Sequence, residues 1–262
     1  MISPQENALR PRLEQQEVLL GGWCTLPTSF AAELVGNSGV DYAVVDMQHG
    51  LAGYSDLIAM LQAIALSGAV PLVRIPFADH GLAQRALDAG AMGIIVPMVN
   101  DPRLARAAVA FCRYPPLGER SFGPIRAKLQ LGMDPQWAND QVMCLVQIET
   151  QDAMRNLDGI LSIDGIDGVY VGPADLALSH GLPAGEQSAQ LDALLSNIVA
   201  ACDAHERIPA IHTLSGADCL SKIKLGYRMC SIGSDAVWLH AAYTEQVAKA
   251  KEQVAVTTGG LY

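Results

Sequence analysis

The chain has 262 residues, half of them hydrophobic, with a net charge of −10 and a pI near 4.9. An acidic balance of this kind excludes nucleic acid and anionic membrane surfaces as favoured partners. The length suits one large core of the α/β-barrel kind.

Residues 1–17 form a polar, charged N-terminal extension with two prolines and no apolar h-region, so no signal peptide is expected. No apolar run approaches the roughly 18 residues of a membrane span. The six cysteines, Cys24, Cys112, Cys144, Cys202, Cys219 and Cys230, are scattered without a C-x-x-C pair. They read as small core residues in a reducing, cytoplasmic compartment.

Eight short apolar runs follow in order: Val18–Trp23, Tyr42–Asp46, Val70–Arg74, Gly93–Val96, Val142–Ile148, Gly168–Gly172, Ile208–His212 and Arg228–Ile232. Helical patterns lie between them. Ser29–Ser38 closes on Gly39. Ser55–Leu66 repeats apolar residues at helical spacing and ends near Gly68. Asp79 caps a helix that stops at Gly90, and Asp101 caps Pro102–Phe111 with proline at its first position. A helix with Asp152 in its first turn follows Glu149, and another starts at Asp175. After a loop over Gly181–Glu186 come Ala189–His205, Leu214–Leu225 and Asp235–Val254, and residues 257–262 form a fraying tail. Near-continuous apolar strands alternating with amphipathic helices predict a parallel sheet covered on both faces. Eight of them predict a single (β/α)8 barrel over residues 18–256. The alternative is a doubly wound open sheet, although no G-x-G-x-x-G follows a strand. The long connection from Arg113 to Gln141 reads either as a cover over the fifth strand's end or as an oligomer contact.

A barrel carries its chemistry at the C-terminal ends of its strands. Those positions hold Trp23, Asp46-Met47-Gln48-His49, Arg74, Val96-Pro97-Met98, Gln147-Ile148-Glu149, Gly172-Pro173-Ala174-Asp175 and His212. Taken singly, Glu149 is an ordinary first-turn acid, Asp175 an N-cap and His49 a turn residue. Adjacent parallel strands lie about 4.8 Å apart. Glu149 and Asp175 at the same end of neighbouring strands are therefore placed to share a divalent cation. A carboxylate pair without His or Cys favours Mg2+ or Mn2+ over Co2+ or Zn2+. Such an ion keeps waters that a chelating 2-oxo acid can displace. His49, beside Asp46, Gln48 and Arg74, reads as a proton-transfer group, and Arg74 as an oxyanion stabiliser. A helix starting at Asp175 offers free N–H groups to a carboxylate. His80, His180 and His205 read as surface or loop residues and His240 as structural. His212 is either pocket wall or a buried, satisfied imidazole.

Eight segments, in order, resemble the HpcH/HpaI family of class II pyruvate aldolases: Gly22-Trp23, Val45-Asp46-Met47-Gln48-His49, Val73-Arg74, Leu87-Asp88-Ala89-Gly90, Val96-Pro97-Met98-Val99, Arg113-Tyr114-Pro115-Pro116, Gln147-Ile148-Glu149-Thr150 and Val171-Gly172-Pro173-Ala174-Asp175-Leu176. The resemblance runs from about Leu20 to Ala248. It implies a divalent metal on Glu149 and Asp175, His49 as base and Arg74 on the enolate. It also implies Asp88 as the group that raises the basicity of His49, while the order of elements puts Asp88 at the end of the third helix, near the barrel bottom, where the alternative is a structural C-terminal carboxylate. Gln147 and Ala174 would hold the pyruvate portion, with Trp23, Gly172 and Pro173 completing the expected substrate-binding positions. A homohexamer with an exchanged C-terminal helix belongs to the same pattern. One departure is Gln48, where the family commonly has Glu; it removes a negative charge beside His49 and Arg74. The reaction implied is reversible cleavage of a 4-hydroxy-2-oxo acid to pyruvate and an aldehyde. The rivals are a citrate lyase β or malyl-CoA type lyase, with the Arg113–Arg126 loop as the one candidate for CoA phosphates, and a non-catalytic keto-acid-binding barrel. The Arg113–Arg126 loop is also expected, with His212 and Thr213, to line the aldehyde side. Lys128, Lys222 and Lys224 fall outside the predicted strand ends, which disfavours a Schiff-base enzyme.

Overall fold

A computed structural model describes residues 5–185 and 188–258, with side chains to residue 251. The elements in order are α1 (Leu9–Glu14), β1 (Leu19–Cys24), α2 (Ser29–Gly36), β2 (Tyr42–Asp46), α3 (Tyr54–Ser67), β3 (Val70–Arg74), α4 (His80–Asp88), β4 (Gly93–Val96), α5 (Pro102–Cys112), α6 (Lys128–Leu131), α7 (Pro135–Gln141), β5 (Met143–Ile148), α8 (Gln151–Arg155), α9 (Leu157–Leu161), β6 (Gly168–Val171), α10 (Pro173–Ser179), α11 (Ala189–Ala204), β7 (Ile208–Thr213), α12 (Gly216–Lys224), β8 (Met229–Ser234) and α13 (Asp235–Thr258). The eight strands pair in parallel and close, β8 onto β1. The expected (β/α)8 barrel is the fold.

Three strands, β2, β3 and β4, run as the apolar pattern places them; the others shift by one or two residues at their ends. The helix after Glu149 is broken in two at Asn156, whose side-chain amide donates to the Asn100 carbonyl at 2.8 Å. The helix expected from Asp175 begins at Pro173, a residue whose fixed φ and missing N–H suit the first helical position. Thr257 and Thr258 extend α13, while the rest of the expected tail, like Glu186 in the loop before α11, lies outside the described residues.

Inside the barrel the strands alternate inward and outward residues. Tyr42 and Tyr170 meet across the interior with their hydroxyls 3.3 Å apart. Gly21 makes room for them, since a Cβ there would fall 2.2 Å from the Tyr42 ring. The N-terminal mouth is closed by α1. The Asn7 side chain donates to the Met92 and Gln141 carbonyls, at 3.1 and 2.9 Å, and Arg10 pairs with Asp167 at 2.7 Å. Met92 and Asp167 stand just before β4 and β6, so the polar N-terminal segment caps the barrel floor. Its apolar side, Leu9 and Leu13, is buried there. Leu9→Ala is expected to cost about 2–5 kcal/mol through lost burial and the cavity left behind. A urea midpoint equal to the wild type's would show instead that α1 is dispensable packing.

Candidate active site

The register explains why the rim residues meet. Asp46 and Arg74 are direct partners across β2 and β3. Asp46 is 1% exposed and holds Arg74 with both oxygens: Nε to Oδ1 at 2.9 Å and Nη2 to Oδ2 at 2.5 Å. The same carboxylate accepts from the Trp23 indole at 3.1 Å and from the backbone N–H groups of Gln48 and His49 at 3.0 and 3.3 Å. Burial works against the charge on Asp46. The hydrogen bonds and charge of Arg74, with the Trp23 and Gln48 bonds, win and hold its pKa below the usual carboxylate range. Asp46 thus sets the turn that carries His49 and fixes the Arg74 fork. Arg74 also lies 4.9 Å over the Trp23 ring.

Across the barrel, Gln147 pairs with Tyr170 and Ile148 with Val171. One further step puts Glu149 beside Gly172. Glu149 is buried, and its Oε1 accepts from the Met98 N–H at 2.7 Å and its Oε2 from the Gln147 amide at 3.0 Å. Met98 reaches it by adopting φ 55°, a left-handed conformation unusual for a residue with a Cβ. Burial raises the Glu149 pKa, the Met98 bond opposes it, and the charge of Asp175 raises it again. Gln147 Oε1 is buried without a partner. A Cβ on Gly172 would fall 2.6 Å from Glu149 Oε2, although the glycine's φ of −96° is open to any residue. Gly172→Ala is therefore expected to displace the carboxylate and cost about 1–3 kcal/mol. An unchanged denaturation midpoint would mean that the carboxylate moves aside freely.

His49, Arg74, Trp23, Gln147 and the run Gly172–Asp175 line one cleft of about 320 Å3. His212 forms its wall and is also a satisfied imidazole, so both readings of it hold. Its Nδ1 lies 2.8 Å from Ser231 Oγ, its direct partner across β7 and β8. Its ring meets Trp23 edge-on at 4.8 Å. Burial, then the charge of Arg74, push its pKa down to about 4, so it is neutral at pH 7.

Two expectations about the surroundings are corrected. The Arg113–Arg126 segment follows a helix and precedes a strand, so it lies at the barrel's N-terminal end, away from the cleft. There Arg113 pairs with Asp167 at 3.3 Å and Arg120 with Asp88 at 2.8 Å. Neither the aldehyde side nor a CoA site is built from it. Asp88 shares that location, because α4 runs back down the barrel and ends there. Within one chain the structure does not bring Asp88 to His49. Lys222 lies on α12, outside the strand ends as expected, and lines the cleft's far end together with Asp218, Leu191 and Leu214.

Comparison with known proteins places this geometry. Residues 20–241 match the family model for the HpcH/HpaI aldolase/citrate lyase group. The chain belongs to that family. It is 35% identical over 238 residues, 89% of this chain and 90% of the relative, to the 4-hydroxy-2-oxo-heptane-1,7-dioate aldolase of Salmonella typhimurium. A family protein from Burkholderia cenocepacia J2315 superposes with a TM-score of 0.87 at 31% identity, covering 94% of this chain and 99% of that one. The HpcH/HpaI aldolase of Desulfitobacterium hafniense DCB-2 superposes at 0.86 with 26% identity, covering 93% and 96%. The protein is accordingly a carbon–carbon lyase of the aldolase type.

Proposed function

We propose that the chain catalyses reversible, divalent-metal-dependent cleavage of a 4-hydroxy-2-oxo acid to pyruvate, or a pyruvate analogue, and an aldehyde. The observation that carries this reading is the Asp46–Arg74 fork beside His49, across the cleft from an oxygen cluster made of the buried Glu149 and Gln147 and the exposed Asp175 at its rim.

That cluster fits a hard cation. Its side-chain ligands are oxygens, its two carboxylates repel each other, and Gln147 Oε1 is buried and unpartnered. Among the described residues no group of three His, Cys, Asp or Glu side chains is placed to hold a metal. Glu149 and Asp175 would be the protein's carboxylate ligands, with Mg2+ or Mn2+ suited to them and Co2+ or Zn2+ as alternatives. A divalent ion bound there supplies Lewis acidity to the substrate's 2-oxo group.

The chain's own groups do the rest. The first turn of α10 leaves the Ala174 and Asp175 N–H groups outside the helix ladder, which begins with Leu176 N–H on Gly172. They orient the substrate carboxylate, with Pro173 and Gly172 shaping the approach. His49 takes the proton of the C4 hydroxyl. The C3–C4 bond breaks, its electrons pass into the pyruvate enolate, and the aldehyde departs. Arg74 holds the enolate oxygen, and C3 then takes a proton. Trp23 packs over the Arg74 fork and keeps water from it.

Asp88 has no part in this chemistry within a single chain. The CoA-ester alternative lacks a basic patch at the cleft. No helix among the described residues is long and apolar enough to cross a membrane. We place the protein in the cytoplasm as a homohexamer. The exposed Val237, Trp238 and Tyr243 of α13 are the surface a second copy would cover, which light scattering after gel filtration would test.

The decisive experiment follows deuterium entering the methyl group of pyruvate by NMR, with and without EDTA. Exchange that requires the metal and is lost in His49→Ala supports the reading. Exchange indifferent to EDTA removes the metal, and none at all removes the enolate chemistry. Borohydride with pyruvate should leave the protein mass unchanged, because no lysine adduct forms.

A further inference from the structure

The cleft continues past the pyruvate end. Beyond Trp23 and His212 it runs between the start of α11 and α12, where Leu191, Leu214, Asp218 and Lys222 line it. The pyruvate portion is assigned to Gln147 and the Gly172–Asp175 run, so this arm is the part of the cleft that remains to receive the aldehyde's substituent.

Its far end is polar and fixed. Lys222 is only 5% exposed, and its ammonium stands 3.5 Å from Asp192 and 4.0 Å from Asp218. Asp218 is anchored in turn: its Oδ2 accepts from the Leu214 N–H at 3.0 Å, and its own N–H donates to Ser215 Oγ at 3.1 Å. His212 is neutral, and Ser231 occupies its Nδ1, which leaves Nε2 for the cleft.

The charge balance decides what such an arm accepts. Two carboxylates around one ammonium leave one net negative charge. The cleft's other cation among the described residues, Arg74, is already gripped by Asp46. A carboxylate arriving here meets Asp218 and finds no uncompensated cation. An alkyl chain strands Lys222 and Asp218 against hydrocarbon, and a site built to hydrogen-bond rejects a ligand lacking the matching groups. A hydroxyl both donates and accepts, so it satisfies Asp218 and Lys222 together.

We infer that the aldehyde partner is a short hydroxylated aldehyde, with its hydroxyls read by Asp218 and Lys222 and its carbon chain against His212 and Leu191. This departs from the anionic chain end in the substrate for which the Salmonella relative is named. It rests on the aldolase reading above.

The test measures kcat/KM for pyruvate addition to glyceraldehyde, propanal and 4-oxobutanoate, in the wild type and in Lys222→Met. Glyceraldehyde should exceed 4-oxobutanoate by at least about tenfold, the factor carried by one hydrogen bond to a charged group. The glyceraldehyde-to-propanal ratio should fall by about the same factor in Lys222→Met; comparing ratios removes the aldehydes' intrinsic reactivities. A wild type that prefers 4-oxobutanoate, or a ratio that Lys222→Met leaves unmoved, overturns the inference. Should circular dichroism show that Lys222→Met does not fold, the wild-type preference between glyceraldehyde and 4-oxobutanoate decides alone. Pyruvate methyl exchange in the wild type separates the two levels: exchange present with the wrong preference sinks this inference only, and exchange absent sinks the aldolase reading beneath it.

Discussion

Arg74→Met is expected to slow pyruvate methyl exchange by about 10^2- to 10^3-fold, the scale of a lost oxyanion donor. It should also destabilise the protein by about 3–5 kcal/mol at neutral pH. The second effect comes from Asp46, which stays buried after its partner is gone. Its pH dependence is specific. In the wild type Asp46 has a lowered pKa, held down by the hydrogen bonds and charge of Arg74 against the cost of burial. Its ionised form therefore stabilises the fold above the unfolded value of about 3.9, and that stability is lost as pH falls toward the folded value. Without Arg74, burial dominates and the folded pKa moves up. The sign then reverses: stability is lost as pH rises from the unfolded value through the folded one. The variant's deficit should be widest at pH 7 and narrow toward pH 4. Melting curves across that range check it, and a deficit equal at both ends would show that Asp46 is not the origin. Arg74→Lys keeps the charge but not the fork, so it should recover part of the stability and little of the exchange.

The barrel was legible because its strands are short apolar runs and most of the helices carry their own signals; α1, α6 and α7 do not stand out in the apolar pattern. Thr28, Asp79, Asp101, Thr150, Ser188 and Ser215 all cap helices with their side chains. The inner rim was legible for a related reason. Residues two apart on a strand face the same way, so Gln147 and Glu149 enter the barrel together, as do Val44 and Asp46. Direct partnership in the register then fixes Asp46 on Arg74 and His212 on Ser231. The Met98 N–H bond to Glu149 was not legible, since it depends on a positive φ that no methionine advertises. The far arm was not legible either. Lys222 and Asp218 belong to a helix, and a rule that looks for chemistry only at strand ends passes over them. The Arg113–Arg126 segment was misplaced although the order of elements held the answer: it follows α5, and connections from helix to strand lie at the end opposite the chemistry. In the sequence Asp46 stands only as a strand-end carboxylate beside His49. Its five hydrogen bonds, to Arg74 twice, Trp23, Gln48 and His49, make it the organiser of that side of the cleft.

Glu149→Gln is expected to move function and stability in opposite directions. Glutamine keeps the shape and can still accept from the Met98 N–H. Its amide nitrogen would face the Gln147 amide, but Gln147 has a free buried Oε1 and turning its amide restores the pair. The fold therefore tolerates the change, while the loss of one carboxylate removes half of the charged set proposed for the cation. Exchange into pyruvate should drop by at least about 10^2-fold, and added Mg2+ or Mn2+ should no longer raise the melting temperature as it does in the wild type. In the metal-free proteins the order should invert. Burial and the charge of Asp175 raise the pKa of Glu149 against the Met98 bond. Ionising it therefore costs stability as pH rises above the unfolded value of about 4.3. Glutamine bears no such cost, so metal-free Glu149→Gln should melt above the metal-free wild type at pH 7, with the advantage vanishing toward pH 4. An enzyme whose site holds a strained charge for its ion has this signature. A variant that melts lower at pH 7, or that still responds to the metal, would place the carboxylate in structural packing instead.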